Sequence, residues 1–167
     1  TGVNECTKIL FKEYKTLEEL KDAPIKRIKE IIRPIGSYNK KSEYIKQIAK
    51  ELVEKYDSKV PTDKDILITF PGVGRKTINV FLSEFYNYPA IAVDTHVERV
   101  SKRLNLAKSK DDVLTIEKKL MKFYDKDTWA KRHLQMVLFG RYYCKAKKPE
   151  CNNCKLKEIC KEKKERI

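Results

Sequence analysis

The stretch Phe70-Pro71-Gly72-Val73-Gly74-Arg75-Lys76 constrains the fold of this chain more than any other, because it joins two segments of helical periodicity and ends in a lysine just inside the second. It reads as a helix-hairpin-helix. Two glycines in a turn expose successive backbone N–H groups, which form a concavity suited to one phosphate, and the N-terminus of the following helix adds positive potential there. Gly72, Val73, Gly74, Arg75 and Thr77 are therefore candidate contacts to a nucleic-acid backbone. The charge balance agrees: 38 Lys+Arg against 24 Asp+Glu leave +14 on 167 residues, and the expected ligand of such a surface is nucleic acid. A merely solvated lysine-rich surface is the alternative reading of the same numbers.

A hydrophobic content of 41% is enough to bury a core, in one domain or in two small ones sharing it. No apolar run approaches the roughly 18 residues of a membrane span, and no charged-then-apolar leader stands at Thr1. A soluble intracellular protein with no membrane partner is expected.

Almost every periodic window fits spacings of three and four, so the expected fold is all-α with no strand. A first helix is expected over about Asn4 to Tyr14, and a second begins at a capping box of Thr16 and Glu19. Pro24 opens a third, with Ile25, Ile28, Ile31 and Ile32 as its buried stripe, and Pro34 and Gly36 stop it. A fourth runs from Asn39 to Tyr56 with Tyr44, Ile45, Ile48, Leu52 and Val53 inward. Asp63 to Phe70 and Arg75 to Tyr86 are the two arms of the hairpin motif. Thr95 and Glu98 read as a further capping box opening a helix to Leu104, and Asp111 to Tyr124 and Asp127 to Tyr143 are the last long helices.

In the second arm, Ile78, Phe81, Leu82 and Phe85 cluster nearly opposite Lys76, so Lys76 does not face that core. A solvated surface lysine is the bland reading. Its place in the first helical turn, next to Arg75, favours the neutral amine, which is a nucleophile. Asp94 follows eighteen residues later, just ahead of Thr-x-x-Glu, where an N-cap belongs. A carboxylate fixed at a helix N-terminus can also stabilise a developing cation and assist proton transfer, and the two roles are compatible. His96 reads as a structural histidine.

Cys144-x6-Cys151-x2-Cys154-x5-Cys160 places four thiols within seventeen residues. This is a metal-binding layout, with zinc and an iron–sulfur cluster both allowed by ligand count and disulfide pairing as the competing reading. Lys145, Lys147 and Lys148 between the first two ligands, with Lys155 and Lys157 beyond, would form a basic loop for phosphate contact, or simply a solvated charge run. Cys6, in the first helix, reads as a small buried hydrophobe.

Three segments together, Phe-Pro-Gly-Val-Gly-Arg-Lys-Thr, Ile-Ala-Val-Asp-Thr-His-Val-x-Arg-Val and Gly-Arg-Tyr-x-Cys-x6-Cys-x2-Cys-x5-Cys, make the chain resemble the endonuclease III family of DNA glycosylases over essentially its whole length. The resemblance implies a six-helix barrel domain over residues 1–89, a [4Fe-4S] cluster domain over 90–167 held by Cys144, Cys151, Cys154 and Cys160, and DNA bound in the cleft between them. It implies Lys76 as catalytic lysine and Asp94 as catalytic aspartate. The implied activity is base excision of oxidised or ring-saturated pyrimidines from duplex DNA, followed by nicking of the abasic site through β-elimination, with duplex DNA carrying damaged bases or abasic sites as partner and a monomeric enzyme. A monofunctional or mismatch-directed glycosylase and a non-enzymatic DNA-binding module are the alternatives.

Two departures from the family pattern stand out. The family's Ser-x-Gln-Thr-like segment and the helices around it are expected ahead of Thr1, outside this sequence. In Ile35-Gly36-Ser37-Tyr38-Asn39 the bulky apolar wedge usual in the family is replaced by Ser37, with Tyr38 beside it as the residue able to stack. Ser37, Tyr38 and Lys41 complete the expected DNA contacts.

Overall fold

The structure, a computed structural model, describes residues 2–161 and divides between Gly74 and Arg75 into two compact units. The first holds α1 (Gly2–Glu13), α2 (Leu17–Asp22), α3 (Ile25–Ile32), α4 (Tyr38–Tyr56) and the short α5 (Lys64–Leu67). Among the described residues the chain is helical, without a strand, as the periodicity demands.

Thr16 opens α2 through the expected capping box. Its hydroxyl accepts the Glu19 N–H at 3.2 Å, and the Glu19 carboxylate accepts the Thr16 N–H at 3.4 Å. Pro24, with no N–H to leave unpaired, sits at the N-cap of α3. Ile28, Ile31 and Ile32 are buried against Cys6, Leu10, Leu20, Ala23 and Ala49, each side chain worth about 1.5–3 kcal/mol of burial. Cys6 is thus the small core hydrophobe its position suggested. Arg27 ties α3 to α1 through a two-toothed pair with Glu13 at 2.8 and 2.9 Å. After α5 the chain leaves the helix at once: the first arm of the hairpin, expected to reach Phe70, is helical only over Lys64–Leu67, followed by successive turns that bury Phe70.

The second unit holds α6 (Arg75–Tyr86), α7 (Thr95–Arg103), α8 (Val113–Phe123) and α9 (Trp129–Tyr142), the last preceded by a 3-10 turn over Lys126–Thr128. Its core gathers Ile91, Val93, Val97, Val100, Ile116, Leu120, Trp129 and Met136. Ile78 and Leu82 of α6 are buried as their phase requires, but Phe85 is 76% exposed. It lies on the last turn, past the reach of the core, with its ring centroid 5.5 Å from that of Phe81. Asn79 is buried instead, its side-chain amide donating to the Ile91 carbonyl at 3.4 Å. Gly140 lets α9 close on α7, since a Cβ there would meet His96 Cβ at 2.8 Å. No helix among the described residues is long and apolar enough to cross a membrane.

Candidate functional site

Helix α7 begins on Asp94. The expected capping box of Thr95 and Glu98 is not what caps it, because Thr95 is already the first helical residue and Asp94 lies nearer the free N–H groups. Asp94 Oδ1 accepts from His96 N–H at 2.9 Å and Val97 N–H at 2.8 Å, which leaves Oδ2 outside the cap. That second oxygen stands 4.0 Å from Lys76 Nζ, on the first turn of α6. The two oxygens therefore divide the labour: one fixes the carboxylate to a helix N-terminus, where its charge is favoured, and the other faces an amine. Asp94 is only 14% exposed while Lys76 is 57% exposed, so the lysine is open to an incoming ligand and its partner is not.

Arg75 is turned toward α8. Its guanidinium makes three hydrogen bonds to Glu117, the shortest 2.7 Å, and Glu117 is buried. These bonds hold the Arg75 guanidinium above its ordinary range. The positive charge expected to act on Lys76 is thus engaged by a carboxylate of the same unit. Thr77 is exposed on α6.

In the first unit the hairpin turn places its two glycines differently. Gly72 has φ +73°, and a Cβ on it would meet Tyr44 Cδ2 at 2.5 Å, so both conformation and packing require glycine. Gly74 has nothing within 4 Å of the Cβ direction, which leaves open space beside the backbone. Val73 donates its N–H to the Phe70 carbonyl at 3.1 Å and closes the turn. Ser37 takes a left-handed conformation, φ 61°, at the start of α4, is exposed and makes no side-chain cap. Tyr38 packs partly on the core of this unit, and Lys41 is exposed on the next turn.

None of the five cysteines is in a disulfide. Cys144 follows α9 and is held from α7 by two arginines. Arg99 donates to its carbonyl at 2.9 Å, and the buried Arg103 donates to its Sγ at 3.2 Å and to the Lys145 carbonyl at 2.8 Å. Cys160 Sγ lies 3.6 Å from the Arg103 carbonyl, so the first and last cysteines meet the same residue. Cys151 and Cys154 share a tight turn, the Cys154 N–H bonding the Cys151 carbonyl at 3.2 Å. Four free, half-buried thiols suit a thiophilic metal group by their chemistry. Among the described residues, however, no three His, Cys, Asp or Glu side chains converge closely enough to form a ligand cage. Lys147 and Lys148 project into solvent, and Lys145 pairs with Glu150 at 3.0 Å.

His133, on α9, is the site residue that sequence reasoning missed. Its ring bonds the Ala92 carbonyl, and Asp94, Lys76 and Glu84 act on it electrostatically. Burial, the largest influence, pulls the imidazole below the ordinary histidine range. His96 behaves as expected of a structural residue, its Nδ1 at 3.1 Å from Arg99 and its backbone packed under Gly140.

A family model described as HhH-GPD superfamily base excision DNA repair protein matches residues 2–126. Endonuclease III of Bacillus subtilis (strain 168) is 46% identical over 160 residues, covering 96% of this chain and 73% of that relative. Two solved structures superpose closely. One, titled as a trapped endonuclease III–DNA covalent intermediate in an estranged-adenine complex, gives a TM-score of 0.93 at 46% identity and is covered to 76% by this chain, which it matches over 96%. The other, a non-covalent endonuclease III–DNA complex, gives 0.92 at 47% identity, with 96% of this chain and 75% of that one covered. With Lys76 and the capped Asp94 facing each other, and with these matches over nearly its whole length, this chain belongs to the HhH-GPD superfamily of base excision DNA repair proteins and, within it, to the endonuclease III family.

Proposed function

We propose that Lys76 and Asp94 are the reacting pair of a bifunctional DNA glycosylase and abasic-site lyase. The observation that carries this is the 4.0 Å approach of Lys76 Nζ to the one Asp94 oxygen that the helix cap leaves available. A damaged base, an oxidised or ring-saturated pyrimidine, is flipped out of the duplex, and its weakened stacking lowers the flipping cost. The free amine of Lys76 attacks C1′ of the sugar, the glycosidic bond breaks, and the base departs with a proton. Asp94 stabilises the cationic character at the sugar while this happens. The sugar opens to a Schiff base on Lys76. Loss of a C2′ proton then expels the 3′ phosphate, and the strand is nicked.

The amides of Gly72 and Gly74 are the ones read as gripping a backbone phosphate, since the Val73 N–H is spent on the Phe70 carbonyl, and such a grip positions the duplex without base information. The open side of Gly74 is where a phosphate oxygen has room to approach. Lys41, Lys145, Lys147 and Lys148 are read as counter-charge, and Ser37 and Tyr38 as the residues that part the duplex, a role to which the exposure of Ser37 at the start of α4 lends support. Cys144, Cys151, Cys154 and Cys160 hold a [4Fe-4S] cluster, a reading supported by four free thiols and the family. When bound, the cluster supplies a cross-link that keeps the lysine loop in shape. The likeness to endonuclease III–DNA complexes supports duplex DNA as partner, and the enzyme would then work inside the cell.

The test is strand nicking of a duplex with one thymine glycol, read on a denaturing gel. The native protein nicks at the lesion, and Lys76→Gln binds the duplex without nicking it. Nicking by Lys76→Gln at the native rate would refute the assignment.

A further inference from the structure

Helix α9 turns an inward stripe toward α7, in which Trp129, His133, Met136 and Gly140 recur at helical spacing. Trp129 and Met136 are buried in the apolar core, and Gly140 packs on His96. Position 133 is where packing alone would place a hydrophobe, yet it carries an imidazole. The Nδ1 atom of that ring is sealed from solvent with no hydrogen-bond partner. An unpaired buried polar atom costs about 1–3 kcal/mol, so this ring is a liability to stability that needs another reason.

The surroundings supply one. The ring bonds the carbonyl of Ala92, two residues ahead of Asp94, in the buried extended segment that delivers Asp94 to α7. The charged groups that face it are Asp94 ahead of α7 and Lys76 and Glu84 of α6.

We propose that His133 is a positioning residue for the Lys76–Asp94 pair: anchored on the Ala92 carbonyl, it fixes the segment that carries Asp94 and keeps a second cation away from the lysine. A neutral ring leaves Asp94 Oδ2 to Lys76 alone. A charged ring would compete for Asp94 and would carry an Nδ1–H for which the pocket offers no acceptor. Proton uptake at His133 therefore loosens the pair on the acid side. This inference rests on the reading of Lys76 and Asp94 as the reacting groups.

Two measurements decide it. The chain has two histidines, so their imidazole signals are readily separated by NMR. The His133 midpoint is expected to rise in Lys76→Gln and to fall in Asp94→Asn, and identical midpoints in all three proteins overturn the placement, whatever the enzyme does. Borohydride trapping rates on an abasic duplex are then followed between about pH 5 and 8 in the native protein, His133→Gln and His133→Leu. Leucine removes the anchor and is expected to lose about a hundredfold at every pH, the scale of a misplacement near one ångström. Glutamine keeps an N–H for Ala92 but cannot charge, so it recovers most of that loss and lacks the native acid-side decline. A leucine variant with the native rate and pH profile overturns the proposal. Absence of trapping by the native protein would instead sink the lyase reading, and the NMR titration would still decide the place of His133.

Discussion

The hairpin glycines make opposite predictions from one turn. At Gly72 an added methyl meets the Tyr44 ring at 2.5 and 2.9 Å, and the backbone is left-handed at φ +73°. The left-handed conformation costs an alanine about 1 kcal/mol, and overpacking against a half-buried ring adds about 1–3 kcal/mol. Gly72→Ala should therefore lose about 2–4 kcal/mol, within the range of core-disrupting substitutions. At Gly74 nothing lies within 4 Å of the new methyl, and stability should stay within about 0.5 kcal/mol. That methyl instead fills the space assigned above to a phosphate oxygen, so on the proposed grip DNA affinity should fall while the fold persists. Urea unfolding followed by circular dichroism reads the first effect, and titration of labelled duplex reads the second. A stability loss at Gly74 equal to that at Gly72, or none at Gly72, would refute the steric reasoning.

Other consequences are equally concrete. Arg75→Ala leaves the buried Glu117 carboxylate without its partner and should destabilise the protein by about 3 kcal/mol, read by the same unfolding assay, with Glu117→Gln relieving part of that loss in the double variant. His133, pulled down by burial, takes up its proton at lower pH in the folded protein than in the unfolded chain, which begins to do so as the pH drops below about 6.5. Stability should thus fall with falling pH in that window, and His133→Gln should flatten the slope, as measured by urea midpoints across the range. Cys151→Ser should lose the brown colour and broad visible absorption of an iron–sulfur protein, and an unchanged spectrum would remove Cys151 from the ligand set.

What the sequence disclosed, and what it hid, follows the range of each interaction. The capping box at Thr16 and Glu19 and the apolar stripe of α3 are local, and both were legible from spacing alone. The need for glycine at 72 was legible as a turn requirement, whereas the clash with Tyr44 was not, because nothing in the sequence places a residue of α4 against the turn. Lys76 and Asp94 are eighteen residues apart, a separation that no periodicity converts into a 4.0 Å contact, so their pairing came from resemblance and not from spacing. Arg75 reads from its charge as a DNA contact, and its pairing with Glu117 was legible as well, because Glu117 lies on a helix whose neighbours Ile116 and Leu120 are buried, a pattern that flags a paired carboxylate. His133 was recoverable in the same way, as the polar member of the stripe of Trp129, Met136 and Gly140. Phe85 misled because phase around a helix says which face turns inward and not how far along the helix the core extends.

Covalent capture at Lys76 is the most direct test of the proposed reaction. Borohydride reduction during incubation with a duplex carrying one abasic site should yield a protein–DNA adduct, lost in Lys76→Gln and mapped by mass spectrometry to the peptide containing Lys76. An adduct of equal yield in Lys76→Gln, or one mapped to another lysine, would contradict the account.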